Sequence, residues 1–305
     1  MNNSRLFQAV ALIAMLVSTA SFAFAETSEP STRPAAEAPD KSQFNLSNPT
    51  PADQLRSMDT DRPNITNTPH TIDAGHLQIE TGVFDYTYYR DHSVGDNVRV
   101  DDFAFGEFNF RLGVLDDLEV NAVVNAYDIV SAHAYGDGSS LHAGSFGDTV
   151  IGAKLNFWGD DGGDETWVTA LAIQPQFKLP TAGDNVGNGR FEFEVPFPFL
   201  MNLPAGFHLG LQPGVAYERN STDTGYVTGF PMAMSLDRVV ICNLDVYLEY
   251  ACDPTDEPHA KTEQTIDVGG TYPLNDNVVL DTGINFGLNN ASPNIEWVAG
   301  ISIRI

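Results

Sequence analysis

Residues 275–305 read NDNVVLDTGINFGLNNASPNIEWVAGISIRI, and their alternation decides the fold. Val278, Leu280, Thr282, Ile284, Phe286 and Leu288 share one face of a strand whose other face carries Val279, Asp281, Gly283, Asn285 and Gly287. After a short Asn/Pro turn, Ile295, Trp297, Ala299, Ile301, Ile303 and Ile305 oppose Glu296, Val298, Gly300, Ser302 and Arg304. A final strand with a wholly apolar face must be covered by protein, by another chain or by lipid, because an uncovered edge of this kind aggregates.

The same period of two runs backward through the chain. Leu77, Ile79, Thr81 and Val83 alternate with Gln78, Glu80 and Gly82, and Phe108, Phe110 and Leu112 with Glu107, Asn109 and Arg111. Residues 118–125 and 149–157 repeat the pattern on either side of a Gly/Ser/His-rich stretch, 131–146, that reads as a long loop. Further segments lie around Leu171, Phe193, Leu209, Met232, Val246 and Ile266, which brings the count of strands to about twelve. In the sixth, Pro196 and Pro198 predict a break in pairing or a bulge. Three features point to an all-β, antiparallel, up-and-down transmembrane β-barrel: an even strand count, short connections expected after strands two, four, six, eight and ten, and strands long enough to cross a bilayer. Aromatic residues gather near both strand ends, with Phe157, Trp158, Trp167, Phe207 and Tyr272 on the turn side. Phe177, Phe191, Tyr217, Tyr226, Tyr250 and Trp297 stand on the loop side. The alternative is a secreted double-sheet protein, whose strands would be shorter.

Composition and the N-terminus agree. Arg5, an apolar run over 9–17 and Ala23-Phe24-Ala25 form a secretory signal peptide, residues 1–25, with cleavage at Ala25 and export to the outer membrane of a Gram-negative-type bacterium. Residues 26–70 are rich in proline and polar side chains and read as an irregular periplasmic segment or a lumen plug; 71–305 form the barrel. Asp+Glu total 41 against 15 Lys+Arg, which argues against a nucleic-acid partner. Cys242 and Cys252 fall on one strand in this reading, roughly 33 Å apart, and are expected to be free thiols.

Several short motifs resemble one family. Thr60-Asp61-Arg62-Pro63-Asn64 with Gly75-His76-Leu77-Gln78-Ile79-Glu80-Thr81-Gly82, Leu179-Pro180-Thr181, and Gly283-Ile284-Asn285-Phe286-Gly287 with Ala291-Ser292-Pro293 are similar to the outer-membrane transporters named for the MetA pathway of phenol degradation. The resemblance implies an outer-membrane β-barrel taking up small, often aromatic or hydrophobic compounds, and it transfers no catalytic residue. Ile305 departs from the terminal Phe or Trp common in such barrels.

Parity assigns the lumen. Glu80, Glu107, Glu119, Asp148, Glu192, Glu194, Glu218, Asp245, Glu249, Asp267, Asp281 and Glu296 are the expected inward acids, and Arg111, Lys154, Lys178, Arg190 and Arg304 the inward bases. Inward glycines such as Gly82, Gly210 and Gly283 leave volume, so a narrow acidic lumen that disfavours anions is expected. Asp61 and Arg62 either fold back into it as a plug or belong to a loose tail. The functional reading is a channel for small solutes. Its alternative is a structural or adhesive barrel with a plugged lumen, whose outer-loop acids (Asp91, Asp96, Asp101, Asp102, Asp253, Asp256, Glu257) are candidate ligands for divalent cations. An outer-membrane hydrolase ranks third. Gly144-Ser145-Phe146-Gly147 lacks the nucleophile-elbow pattern, His133 and His142 have no spaced carboxylate, and His208 faces the lumen alone. Asp160, Asp161, Asp164 and Glu165 lack calcium-loop spacing. No cofactor and no metal set is expected; the partners expected are lipid, the barrel-assembly machinery and a small solute.

Overall fold

The computed structural model describes residues 40–90, 97–159, 165–220 and 224–305. The expected signal peptide, residues 1–25, together with Asp91, Asp96, Asp160, Asp161 and Asp164, lies outside the described residues.

Twelve staves close into one antiparallel barrel. They are β1 (Leu77–Arg90), β2 (Val98–Leu115), β3 (Leu118–Ala134), β4 (Ser140–Ser145 and Thr149–Trp158), β5 (Thr169–Ile173 and Gln176–Leu179) and β6 (Glu192–Pro196 and Phe199–Leu203). The remainder are β7 (Phe207–Arg219), β8 (Tyr226–Gly229 and Met232–Ile241), β9 (Leu244–Asp253), β10 (Glu263–Asn275), β11 (Val278–Gly287) and β12 (Ile295–Arg304). Each pairs with its chain neighbour, and β12 returns to β1, with Gln78 opposite Arg304 and Tyr88 opposite Ile295. Closure removes the free edge that the apolar last strand would otherwise present. Among the described residues the helical content is two 3-10 turns, Ala52–Gln54 and Pro204–Gly206, and no helix is long and apolar enough to cross a membrane.

Local chemistry explains the interruptions. Proline has no N–H for the ladder, and the breaks in β5, β6 and β8 fall at Pro175, Pro198 and Pro231. The ladder survives through proline carbonyls, which still accept: Ala172 N donates to Pro198 O at 2.9 Å, Gln174 N to Pro196 O at 3.0 Å, and Phe197 N to Pro213 O at 2.9 Å. The break expected at the sixth strand is thus one of a set shared with β5 and β8.

Three sequence expectations change. The stretch 131–146 is largely strand: Ser131 pairs with His142 and His133 with Ser140, so β3 and β4 extend as a hairpin beyond the region of apolar alternation. Cys242 does not share a strand with Cys252; with Asn243 it forms the β8–β9 turn, both at positive φ (47° and 61°), the geometry of a two-residue hairpin connection. Both thiols are free. The connection after β4 runs from Gly159 to Val168 and is not short; those after β2, β8 and β10 are two-residue turns.

Burial is inverted relative to a water-soluble fold. Glu80, Arg111, Glu119, Lys154, Glu249 and Asp267 have no exposed surface, whereas Trp158 (64%), Met234 (50%) and Ile305 (70%) stand open on the outside with Phe110, Val120 and Ile151. A contiguous apolar exterior around a polar interior is the arrangement a bilayer requires.

Candidate functional site: the lumen and the segment inside it

Residues 59–72 lie within the barrel, before β1 begins at the end that carries the short turns. The segment is held by wall side chains, not by strand pairing. Asp61 sits among buried cations. Its carboxylate accepts from Lys154 Nζ at 2.8 and 3.1 Å and from Thr68 N at 3.1 Å, and stands 3.5 Å from Arg111 Nη1. Arg111 in turn donates to Glu80 (2.8 Å), to both oxygens of Glu119 (2.8 and 3.0 Å) and to the carbonyl of His70 (3.1 Å). Arg111, Lys154, Glu80 and Glu119 are all fully buried. Such a cluster is tolerable only because each charge has opposite partners and its hydrogen bonds are made.

From there the segment crosses the lumen. Arg62 reaches Glu107 (3.2 Å), Asp85 (3.3 Å) and, as an ion pair, Asp281 (3.5 Å), on β2, β1 and β11. Burial draws the Arg62 pKa down, and these carboxylates, led by Asp281, more than restore it. On the far wall Glu249 accepts from Ile65 N (2.7 Å), Thr66 N (2.8 Å) and Thr66 Oγ1 (2.5 Å). Gln212 accepts from Asn67 N at 2.8 Å and donates to Ile65 O at 3.0 Å, while Gln174 accepts from Asn67 Nδ2 at 3.1 Å. The return passes Asn156, which donates to Pro69 O at 3.0 Å, and ends where Ile72 N donates to Glu119 at 2.8 Å. Inside the segment, Asp59 accepts from Thr68 Oγ1 and lies 2.9 Å from His70 Nδ1. Burial works to raise the Asp59 pKa, but the His70 contact, the Thr68 hydroxyl and the Arg111 charge together outweigh it and hold the carboxyl at about 2.

The lumen glycines take on a different meaning. A Cβ at Gly82 would come within 2.9 Å of the Arg62 guanidinium, and one at Gly113 would collide with the carbonyls of Ile72 and Asp73. These positions accommodate the segment and do not leave open volume. A cavity of about 810 Å³ lies between the segment and the wall of β5–β11, lined by His70, Leu200, His208, Asp237, Asp245 and Tyr247 among others.

Most of the sequence-assigned lumen residues face inward. Lys178 pairs with Glu192 (2.6 Å) and Asp148 (3.5 Å), Glu296 accepts from Asn285 at 2.8 Å, and Asp267 accepts from Thr265 at 2.9 Å. Glu194, Glu218 and Asp245 are half-buried. Arg304 closes the turn end, donating to the carbonyls of Arg56 (2.7 Å) and Asp276 (3.0 Å). Arg190 is a correction: it precedes β6, is exposed, and is not part of the wall. His208 is a second, since it does not stand alone. Its Nδ1 lies 2.7 Å from Asp237, its direct cross-strand partner. His133 and His142 contact Ser140 and Ser131.

Asp85 and Asp237 are lumen residues missing from the parity assignment, for different reasons. The register shifts between Gly82 and Phe84, so Val83 is an extra residue that reverses the parity of the rest of β1, and Asp85 turns inward on the odd count. Asp237 obeys clean parity in β8; its signal is present in the alternation of Met232, Met234 and Leu236.

Comparison with known proteins bears on this geometry. The family model described as "Putative MetA-pathway of phenol degradation" matches residues 60–305. The chain belongs to that family. Its match begins within the lumen segment, so the segment and the barrel are recognised together. Similar solved structures include the COG4313 outer membrane channel from Pseudomonas putida F1, at 12% identity and TM-score 0.53, covering 75% of this chain and 94% of that one. The transport unit of the autotransporter AIDA-I from Escherichia coli matches at 8% identity and TM-score 0.51, with 75% and 89% covered. At such identity the likeness is one of fold, that of outer-membrane barrels. No curated protein matches the chain.

Proposed function

We propose that this protein is an outer-membrane channel for small solutes, aromatic or hydrophobic compounds among them, whose passage is controlled by residues 59–72. The observation that carries the reading is the way the segment is held. It is held across the lumen by side-chain hydrogen bonds and ion pairs to β1, β2, β3, β4, β5, β7, β9 and β11, and makes no strand that would lock it into the barrel. Each of those wall groups is polar and is rehydrated when the segment leaves, so the open state carries no stranded charge. Family membership and the outer-membrane barrel fold support a transport role.

The lumen's field supports a cation bias. Arg111 and Lys154 are neutralised within the buried cluster, whereas Glu194, Glu218, Asp253 and Glu263 on β6, β7, β9 and β10 lie toward the loop end, where the charges acting on one another are carboxylates. An acidic constriction repels anions. In this reading the short-turn end faces the periplasm and the loop end the exterior, after removal of the signal peptide.

The test is planar-bilayer conductance of the purified full-length protein and of a variant lacking 59–72, under a salt gradient. Rare or small openings in the intact chain and steady cation-biased conductance in the deletion support the channel. A deletion barrel that is folded, as judged by heat-modifiable gel mobility, and does not conduct would assign the protein a structural role instead.

A further inference from the structure

On the wall of the cavity, three neighbouring strands bring together His208 (β7), Asp237 (β8) and Asp245 (β9). One donor atom from each lies within 4.8 Å of the other two. The arrangement is a product of register. His208 is directly opposite Asp237, and Asp245 pairs with Val239, two residues along from Asp237, so all three point inward from adjacent positions of one rigid sheet. Two further observations set the group apart from a plain ion pair. Asp245 Oδ1 is buried and has no hydrogen-bond partner among the described residues, and the group opens onto a cavity large enough for an ion with its remaining waters.

The geometry points to a divalent transition-metal site of the zinc class, with His208, Asp237 and Asp245 as its three protein ligands and water in the remaining position. One imidazole and two carboxylates match the donor set such ions take, at about 2.0–2.2 Å from each donor. The imidazole disfavours calcium and magnesium, which prefer oxygen alone. Donors on one tetrahedral ion at those distances stand about 3.4 Å apart, so the side chains draw together when the ion binds. The proton that His208 Nδ1 shares with Asp237 at 2.7 Å must leave for solvent when the ion takes its place. The site lies beside Asp59 and His70 of the lumen segment, which line the same cavity, but it does not depend on the channel reading and is tested separately.

The full-length barrel in detergent, stripped with chelator, is dialysed against Zn²⁺ in excess Ca²⁺ and Mg²⁺, and bound metal is counted. One Zn²⁺ per chain is expected, with affinity falling at least about tenfold in Asp245→Asn and in His208→Ala. Asp245→Asn is isosteric and keeps the barrel intact, and heat-modifiable mobility verifies both variants. Co²⁺ substitution gives a second readout: visible absorption of a low-coordinate ion with a nitrogen donor, lost in His208→Ala. Equal Zn²⁺ uptake by wild type and both variants, or displacement of the ion by Ca²⁺, overturns the assignment.

Discussion

Asp61→Asn is expected to open the lumen while leaving the barrel folded. With the segment seated, Asp61 is the partner of Lys154 at 2.8 Å and lies 3.5 Å from Arg111, both fully buried. Breaking a buried pair by removing one member typically costs about 3–5 kcal/mol. Here the lower end applies, because Glu119 remains 3.7 Å from Lys154 and partly compensates it. In the open state Lys154 and Arg111 meet water and the substitution costs nothing there, so the whole penalty falls on the seating of the segment. About 3 kcal/mol corresponds to roughly a hundredfold shift toward the unseated form. Single-channel recording reads that shift as open probability. Lys154→Met in the same background isolates the pairwise part: Asp61→Asn should do far less once Lys154 is gone. If Asp61→Asn leaves open probability at the wild-type value while deletion of 59–72 raises it, the ionic cluster is not what seats the segment, and the reasoning fails.

Four more outcomes are expected from the same contacts. Arg111→Lys should lower thermal stability, by about 3 kcal/mol or more in a melting or gel-shift series, because an ammonium cannot span Glu80, both oxygens of Glu119 and the His70 carbonyl at once. Acid should loosen the segment. The depressed pKa of Asp59 stabilises the seated form above the ordinary carboxylate value of about 4, and that contribution is lost as pH falls through about 2. Open probability should therefore rise as pH falls between those limits, and Asp59→Asn, which lacks the titration, should flatten that part of the profile. Asn243→Gly at the β8–β9 turn should stabilise the barrel by about 0.5–1 kcal/mol, since φ of 61° is strained for a side chain and free for glycine; a lower unfolding temperature would contradict the turn geometry. Cys242, exposed on that turn, should react with a maleimide faster than Cys252, and non-reducing gels should show no mobility change on adding reductant.

The alternation that begins in residues 278–305 and recurs in about twelve segments points to a barrel, because side-chain direction in a strand has a period of two, and strands long enough to cross a bilayer with an apolar face and a polar face fit lipid outside and polar groups inside. The same alternation places Glu80, Glu119, Lys154 and Glu249 in the interior, where the structure has them, and the turns between the runs set the strand count. Periodicity also has a blind spot. A single extra residue at Val83 reverses the face of the later residues of β1, which hides Asp85, and Arg190 lies before β6 begins, where parity has no meaning. The path of residues 59–72 is open on the sequence, since a polar segment with prolines has no period to read. Its place is set by tertiary partners far along the chain, such as Glu249 for Thr66 and Lys154 for Asp61. The joining of His208, Asp237 and Asp245 likewise exists only once three strands are in register. Sequence determined which faces are wet and which are greasy; closure of the barrel decided which of the wet groups meet, because contacts across a lumen depend on register and curvature that no local pattern encodes.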